Sequence, residues 1–180
     1  VKNIVRFWME KGVKGFRFDV INLISNALQF GLSDEFTGDS LKRVMVREIV
    51  HDPMFLQRKS EDATQADLQT AQDLLDTLRA NFDRCVGMAA NMIGVAKRII
   101  AINDNGKYLV MFNPEIISKF GEFETEEGCL SLDGERKTVR YKTIKVKYFN
   151  ENFKQIKRSF SDFTAQIIQH EVDHCNGILI

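Results

Sequence analysis

Apolar residues recur along this chain with two different periods, and the changes of period mark out its elements. Leu68, Ala71, Leu75, Leu78 and Phe82 follow one another at 3-4-3-4 spacing, which predicts an amphipathic helix ending near Asn81. Thr64-Gln65-Ala66-Asp67 before it resembles a capping box with Asp in the place of Glu or Gln. The signal then changes to strands. Residues 98–102 and 108–112 read as a pair joined by the turn Asn103-Asp104-Asn105-Gly106-Lys107, and Asn113-Pro114 ends the pair. Residues 143–150 alternate, with Ile144, Val146 and Tyr148 on one face and Lys145 and Lys147 on the other. Glu151-Asn152 turns the chain into a further strand over 153–160. A helical stripe closes the sequence: Ala165, Ile168, Val172 and Cys175 follow an N-cap at Ser161-Asp162, and Asn176-Gly177 supplies a stop. The order predicts an α+β fold, with antiparallel strands packed around a C-terminal helix.

The first 44 residues read differently. A short helix over 1–13 is followed by a buried strand in Gly15-Phe16-Arg17-Phe18-Asp19-Val20-Ile21-Asn22, then a linker-like stretch over 31–40. The strand resembles the G-F-R-x-D-V block of α-amylase-type glycoside hydrolases, where the residue matching Asp19 is the nucleophile and the one matching Arg17 supports it. A (β/α)₈ barrel needs about 200 residues, and a retaining glycosidase needs a second carboxylate. Neither is supplied, so 1–44 is expected to be an extension resembling a fragment of another fold, and 45–180 the functional domain.

Composition narrows the classes. At 180 residues the chain holds one ordinary domain, and 44% hydrophobic with 28% charged residues indicates a soluble globular protein. A formal net charge of zero argues against a dedicated nucleic-acid binder, and no specific DNA partner is expected. Three cysteines without paired spacing argue against a disulfide framework and suit a reducing, cytoplasmic setting. No apolar run is long enough for a membrane span, and charges at Lys2, Arg6, Glu10, Lys11 and Lys14 interrupt any signal peptide. Charge is uneven, however. Glu122, Glu124, Glu126 and Glu127 cluster, and nine Lys/Arg face two Glu between Gly134 and Arg158. That run reads as a solvated strand face or as a weak basic patch toward ribosomal RNA.

The chemistry is concentrated in His170-Glu171-Val172-Asp173-His174, an H-E-x-x-H pattern on the terminal helix. Residues four apart lie one above the other, so His170 and His174 can face one metal ion while Glu171 takes a proton from water. A third ligand is needed, and only six residues follow His174. The upstream candidates are His51, Cys85 and Cys129. Cys129 follows Gly128, which would let the backbone come close, and a thiolate is a good soft ligand.

Glu127-Gly128-Cys129-Leu130-Ser131 and Gln169-His170-Glu171-Val172-Asp173-His174-Cys175-Asn176-Gly177 resemble the second and third motifs of peptide deformylases, E-G-C-L-S and Q-H-E-x-D-H-x-x-G. The first motif, G-x-G-x-A-A-x-Q, corresponds to Cys85-Val86-Gly87-Met88-Ala89-Ala90-Asn91-Met92, with Cys85 replacing a glycine and Met92 the glutamine. The resemblance runs from about Met45 to Ile180. It implies removal of the N-formyl group from formylmethionine on newly made polypeptides, using one divalent ion on Cys129, His170 and His174. Fe(II) is the expected ion, and Zn, Ni or Co suit the same donors. It further implies Glu171 as general base and the Leu130 N–H as oxyanion donor. Gly87 would let a substrate strand approach, and Met88 and Ile93 would line a pocket for the methionine side chain. Met92 cannot replace the glutamine as a donor; Asn91 would do so only if the loop shifts by one residue. An alternative is therefore a metal-binding protein with weak or altered activity. Cys85 and Cys175 are expected to be packing residues, His51 a polar contact, and Asp173 a carboxylate holding a ligand or loop. Arg140 either caps that network or lies in solvent.

Overall fold

The computed structural model describes residues 44–180; the expectations for the first helix, the strand around Asp19 and the linker lie outside them. Five strands form one antiparallel sheet in the order β1-β2-β3-β4-β5: β1 Gly87–Ala89, β2 Ile99–Asp104, β3 Lys107–Cys129, β4 Leu132–Phe149 and β5 Gln155–Ser161. Helix α1 spans Pro53–Leu56, α2 spans Leu68–Ala80, and α3 spans Asp162–Cys175. The α+β class and the C-terminal helix agree with the sequence reading.

The β2–β3 hairpin turns on Asn105 and Gly106, both at positive φ (52° and 87°), the pairing a two-residue hairpin with the strands' own twist demands. Asn103 Oδ1 accepts from the Gly106 N–H at 2.7 Å. The predicted capping box forms: Thr64 N–H donates to Asp67 Oδ2 (2.7 Å) and Thr64 Oγ1 accepts from Ala66 N–H (3.3 Å). Asn113-Pro114 ends the β2–β3 pairing, but β3 itself continues to Cys129. Asn113, at φ 51°, bulges the strand, and its amide exchanges hydrogen bonds with the Ala63 backbone. β3 and β4 therefore run on together as a long two-stranded arm.

The sheet is covered on both faces. α2 packs Leu74, Leu75 and Leu78 on Met88, Ile99, Ala101, Val110 and Phe112. α3 packs Ala165, Ile168, Val172 and Cys175 on Ala89, Ile100, Ile102, Ile144 and Val146. Two members of the predicted α2 stripe miss this core. Leu68 is 41% and Phe82 70% exposed, because Leu68 is the first residue of the helix and Phe82 lies past its cap at Asn81.

Candidate metal centre

α3 enters from β5 through Asp162, held at φ 54°, with Ser161 at the N-cap position but no capping hydrogen bond from its side chain. Its apolar stripe fixes the helix on the sheet, so the opposite edge delivers His170 and His174 together, ring centroids 5.0 Å apart. Cys129 ends β3 at a register shift, where the chain reverses through Leu130 and Ser131. Its Sγ lies 3.2 Å from His174 Nε2 and accepts from Ser131 N–H at 3.4 Å. One donor atom from each of Cys129, His170 and His174 falls within 4.8 Å of the others.

Glu127 organises the histidine side. Its Oε2 accepts from His170 Nδ1 at 2.9 Å, which leaves Nε2 for a ligand. Arg140 grips both Glu127 oxygens (2.9 and 2.7 Å) and reaches Asp173 Oδ2 at 2.6 Å, while Gln166 donates to Glu127 Oε1 at 2.9 Å. Burial alone would raise the Glu127 carboxyl; the hydrogen bonds from Arg140, His170 and Gln166 outweigh it and hold it at about 2. Gln169 clamps the Tyr141 N–H and C=O to the helix. Arg140 is thus the cap of this network rather than a solvated residue.

Glu171 stands apart. It is 3% exposed, and its Oε2 has no hydrogen-bond partner. Burial first, opposed by His170 and supported by the Glu127 charge, pushes its carboxyl up to about 7, a value suited to proton transfer near neutrality. Burial pushes His174 down to about 3, with the His170 and Arg140 charges adding to it. Burial also opposes protonation of His170, but hydrogen bonds to Cys129 and Glu127 prevail and lift it to about 10. A divalent cation fits this donor set. One soft sulfur and two imidazoles converge, and the buried Glu171 oxygen beside them lacks any partner among the described residues.

These groups open on a cavity of about 270 Å³, whose lining includes Gly87, Met92, Leu130, Phe163, Ile167 and Glu171. A Cβ on Gly87 would meet Ile167 at 2.5 Å and Glu171 Oε1 at 2.7 Å, so the glycine is what lets α3 press against β1. A Cβ on Gly128 would meet only ordinary neighbours at 3.8 Å, so close approach does not explain that glycine. Met88 and Ile93 are not brought to the cavity. Alternation turns Gly87 and Ala89 toward α3 and Met88 toward α2, where Ile93 also packs. Asn91 is likewise absent from the lining; its Nδ2 donates to the carbonyls of His174 (2.9 Å) and Leu56 (3.3 Å). Met92 does face the cavity, its Sδ 3.5 Å from the Ala89 N–H. Cys85 packs on the core as expected but also lines the cavity, with Sγ 2.7 Å from the Gly87 carbonyl. Cys175 is core, and His51 makes a polar contact, Nδ1 to the Ser131 carbonyl at 3.1 Å. Sequence reasoning missed the part of Glu127; its place two residues before Cys129 on an extended strand was the available signal.

The model of a family described as polypeptide deformylase matches residues 46–180. The chain is similar to the peptide deformylase of Clostridium beijerinckii, 54% identical over 136 residues, covering 76% of this chain and 100% of that one. It is 41% identical to the peptide deformylase of Pseudothermotoga lettingae over 142 residues, 75% of this chain and 81% of the other. Among solved structures, a peptide deformylase from Legionella pneumophila superposes with TM-score 0.67 at 37% identity, covering 74% and 83% of the two chains. A Met-Ala-Ser-bound class I type b peptide deformylase from Acinetobacter baumannii gives 0.68 at 29%, covering 75% and 97%.

Proposed function

The chain belongs to the peptide deformylase family and is an enzyme of that kind, and from that premise we propose that it hydrolyses the formamide of N-terminal formylmethionine on newly made polypeptides. The observation that carries the proposal is three convergent donors, two of them lining a cavity beside a buried carboxylate oxygen that has no partner among the described residues. Cys129, His170 and His174 would hold a divalent ion, which would supply Lewis acidity toward water and the formyl carbonyl; Fe(II) is our proposed native ion, and Zn, Ni and Co suit the same donors.

The chain's own residues do the rest. Glu127 fixes the His170 ring and its tautomer, and Arg140 fixes Glu127. Glu171 accepts the proton of the attacking water and hands it to the departing amine nitrogen. The Leu130 N–H donates to the oxygen that gains charge. Gly87 offers backbone at the cavity edge for a substrate strand, and Met92, Ile167 and Phe163 receive the methionine side chain. Anaerobic protein loaded with Fe(II), Ni(II) or Zn(II) should release formate from formyl-Met peptides; failure with all three ions would overturn the proposal.

A second reading, weak or altered activity, rests on Met92. It fills the lining position where the family motif has glutamine, and a thioether donates no hydrogen bond. The neighbouring Asn91 amide is already committed to His174 and Leu56.

We further propose a cytoplasmic setting, with formylated nascent peptides as partners and a weak ribosome contact. No helix of the described residues is long and apolar enough to cross a membrane. Residues 45–180 form the catalytic domain in this reading, with 1–44 dispensable. A chain starting at Met45 should fold, bind metal and turn over like the full one; aggregation or metal loss would move the boundary upstream.

A further inference from the structure

The sheet face turned away from α3 changes character halfway across. Under α2 it is apolar: Ile99, Ala101, Val110 and Phe112 are buried there. Beyond α2 the same face continues over β3, β4 and β5 as three cross-strand rows. They are Phe120–Thr143–Ser161, Ser118–Lys145–Ser159 and Glu115–Lys147–Lys157. The residues between them in β4 and β5, Ile144, Val146 and Phe160, are buried beneath α3. Alternation therefore sends the row residues outward.

Two features of this face do nothing for folding. Lys147 and Lys157 stand directly opposite each other, a like-charge pair that destabilises a sheet. Glu115, 2.5 Å from Lys147, relieves one of them, whereas Lys145 and Lys157 meet no acid among the described residues. Phe120 is 78% exposed at the β3 end of the first row, beside Ser118 and Thr143. An aromatic ring held in water beside unpaired ammonium groups is left without an apolar partner by the fold.

We propose that this face is a platform for single-stranded RNA, with Phe120 stacking on a base and Lys145 and Lys157 meeting phosphates. Lys145 and Lys147 stand about 7 Å apart along β4, and Lys157 about 5 Å across from Lys147, so the charges follow a line rather than a point. Sheets that bind single strands combine these parts, a π-face that accepts any base and cations that track the backbone. The hydroxyls of Ser118, Thr143, Ser159 and Ser161 supply short donors and acceptors at the height of ribose 2′-OH groups. A duplex would not expose base faces to Phe120. The chain's zero net charge is no obstacle, because the one acid within the three rows, Glu115, is paired with Lys147, and Glu122, Glu124 and Glu126 follow beyond Phe120 on the arm. The platform sharpens the ribosome contact proposed above, and it stands or falls apart from deformylation because none of its residues lines the cavity.

The test is fluorescence anisotropy of a labelled single-stranded RNA of about 12 nucleotides with the full chain, F120A and K145E/K157E. Wild-type affinity should fall as salt rises from about 50 to about 200 mM, and the double variant should flatten that slope by about 1.4. F120A should weaken binding about fivefold or more. Both variants should release formate from a short formyl-Met peptide at the wild-type rate, which shows that they are folded. Absence of wild-type binding, or variant affinities equal to wild type, would overturn the proposal. So would light scattering in which F120A breaks a dimer while RNA binding is untouched, since that result assigns Phe120 to a second copy of the chain.

Discussion

The two helices that cover the sheet bury apolar stripes of the same kind but leave their buried polar groups in opposite conditions. On α2, Asp73 accepts from Arg47 and Gln69, Asp76 from the Met45 N–H and Gln72, and Thr77 both accepts from Arg47 N–H and donates to the Asp73 carbonyl. Each is satisfied, and together they fasten the segment from Met45 to Arg47 along the helix. On α3, Glu171 Oε2, which lines the cavity, is buried with no partner among the described residues. Satisfied buried groups hold a structure together, whereas unsatisfied ones beside a cavity are reserved for something that arrives. Ser60 Oγ, Asn91 Oδ1 and Ser131 Oγ also lack a partner among the described residues, but none of them lines the cavity, so it is the cavity beside Glu171 that separates site from scaffold.

The largest effect expected from breaking that contrast is at Glu171. Glu171→Ala should lower kcat about 10²- to 10⁴-fold while metal content stays near stoichiometric; loss of the metal would make Glu171 a ligand. In the metal-free protein the same residue costs stability. Its folded carboxyl titrates near 7 against an ordinary 4.5, so the stability of the protonated form is complete below about 4.5 and is lost as pH rises through 7. Metal-free Glu171→Gln should therefore outlast wild type above pH 7 by about 3 kcal/mol in urea titrations, with the advantage shrinking toward pH 4.5.

The arginines that pair with an acid on each helix, Arg140 with Asp173 and Arg47 with Asp73, give the next effect. Arg140→Met takes the guanidinium from the buried Glu127 carboxylate, which keeps hydrogen bonds to Gln166 and His170, and should cost about 3–5 kcal/mol, with weakened metal binding because the His170 anchor is loosened. Arg47→Met removes a half-exposed guanidinium and leaves Asp73 with Gln69 still donating, so about 1 kcal/mol is expected, and metal binding should be untouched. Equal costs for the two variants would erase the distinction between site and scaffold.

How far the sequence revealed this depends on the separation of the partners. His170, Glu171 and His174 were legible because i,i+4 geometry is local to one helix. The hairpin at Asn105-Gly106 was legible for the same reason. The arm was not: register shifts between Phe112 and Glu115, Ile116 and Ser118, and Gly128 and Cys129 break the alternation that announces a strand. Arg140 was ambiguous because Glu127 and Asp173 lie 13 and 33 residues away, and even the β3–β4 register sets Arg140 opposite Phe123, so the contact needs α3 and both strands in place. Met88 and Ile93 were apolar in a short segment buried on all sides, so nothing local said which face each would take.

Met92 sharpens the comparison within the site itself. An amide aimed at a developing oxyanion contributes about 10²- to 10³-fold in rate, and Met92 cannot supply it. Met92→Gln should raise kcat by up to about that factor, with a smaller change in KM. A variant no faster than wild type would mean that the Leu130 N–H and the metal already suffice.

The smallest effect separates Asn91 from its neighbour. Its side chain points away from the cavity, and its Nδ2 bridges the carbonyls of His174 and Leu56 at 2.9 and 3.3 Å. Asn91 is a positioning residue of the scaffold kind, placed one step from a residue of the site. Asn91→Ala leaves two buried carbonyls short of a donor, at a cost of about 1–3 kcal/mol. His174 is a proposed ligand, so the loss should appear in metal affinity and in unfolding midpoint. Once metal is saturating, kcat should stay within a few fold of wild type, and the Co(II) spectrum of the loaded variant should match. Had Asn91 replaced the missing glutamine, the opposite split would follow: normal metal affinity, with kcat about 10²-fold lower at saturating metal. Titrating metal into both proteins before measuring kcat distinguishes the two outcomes.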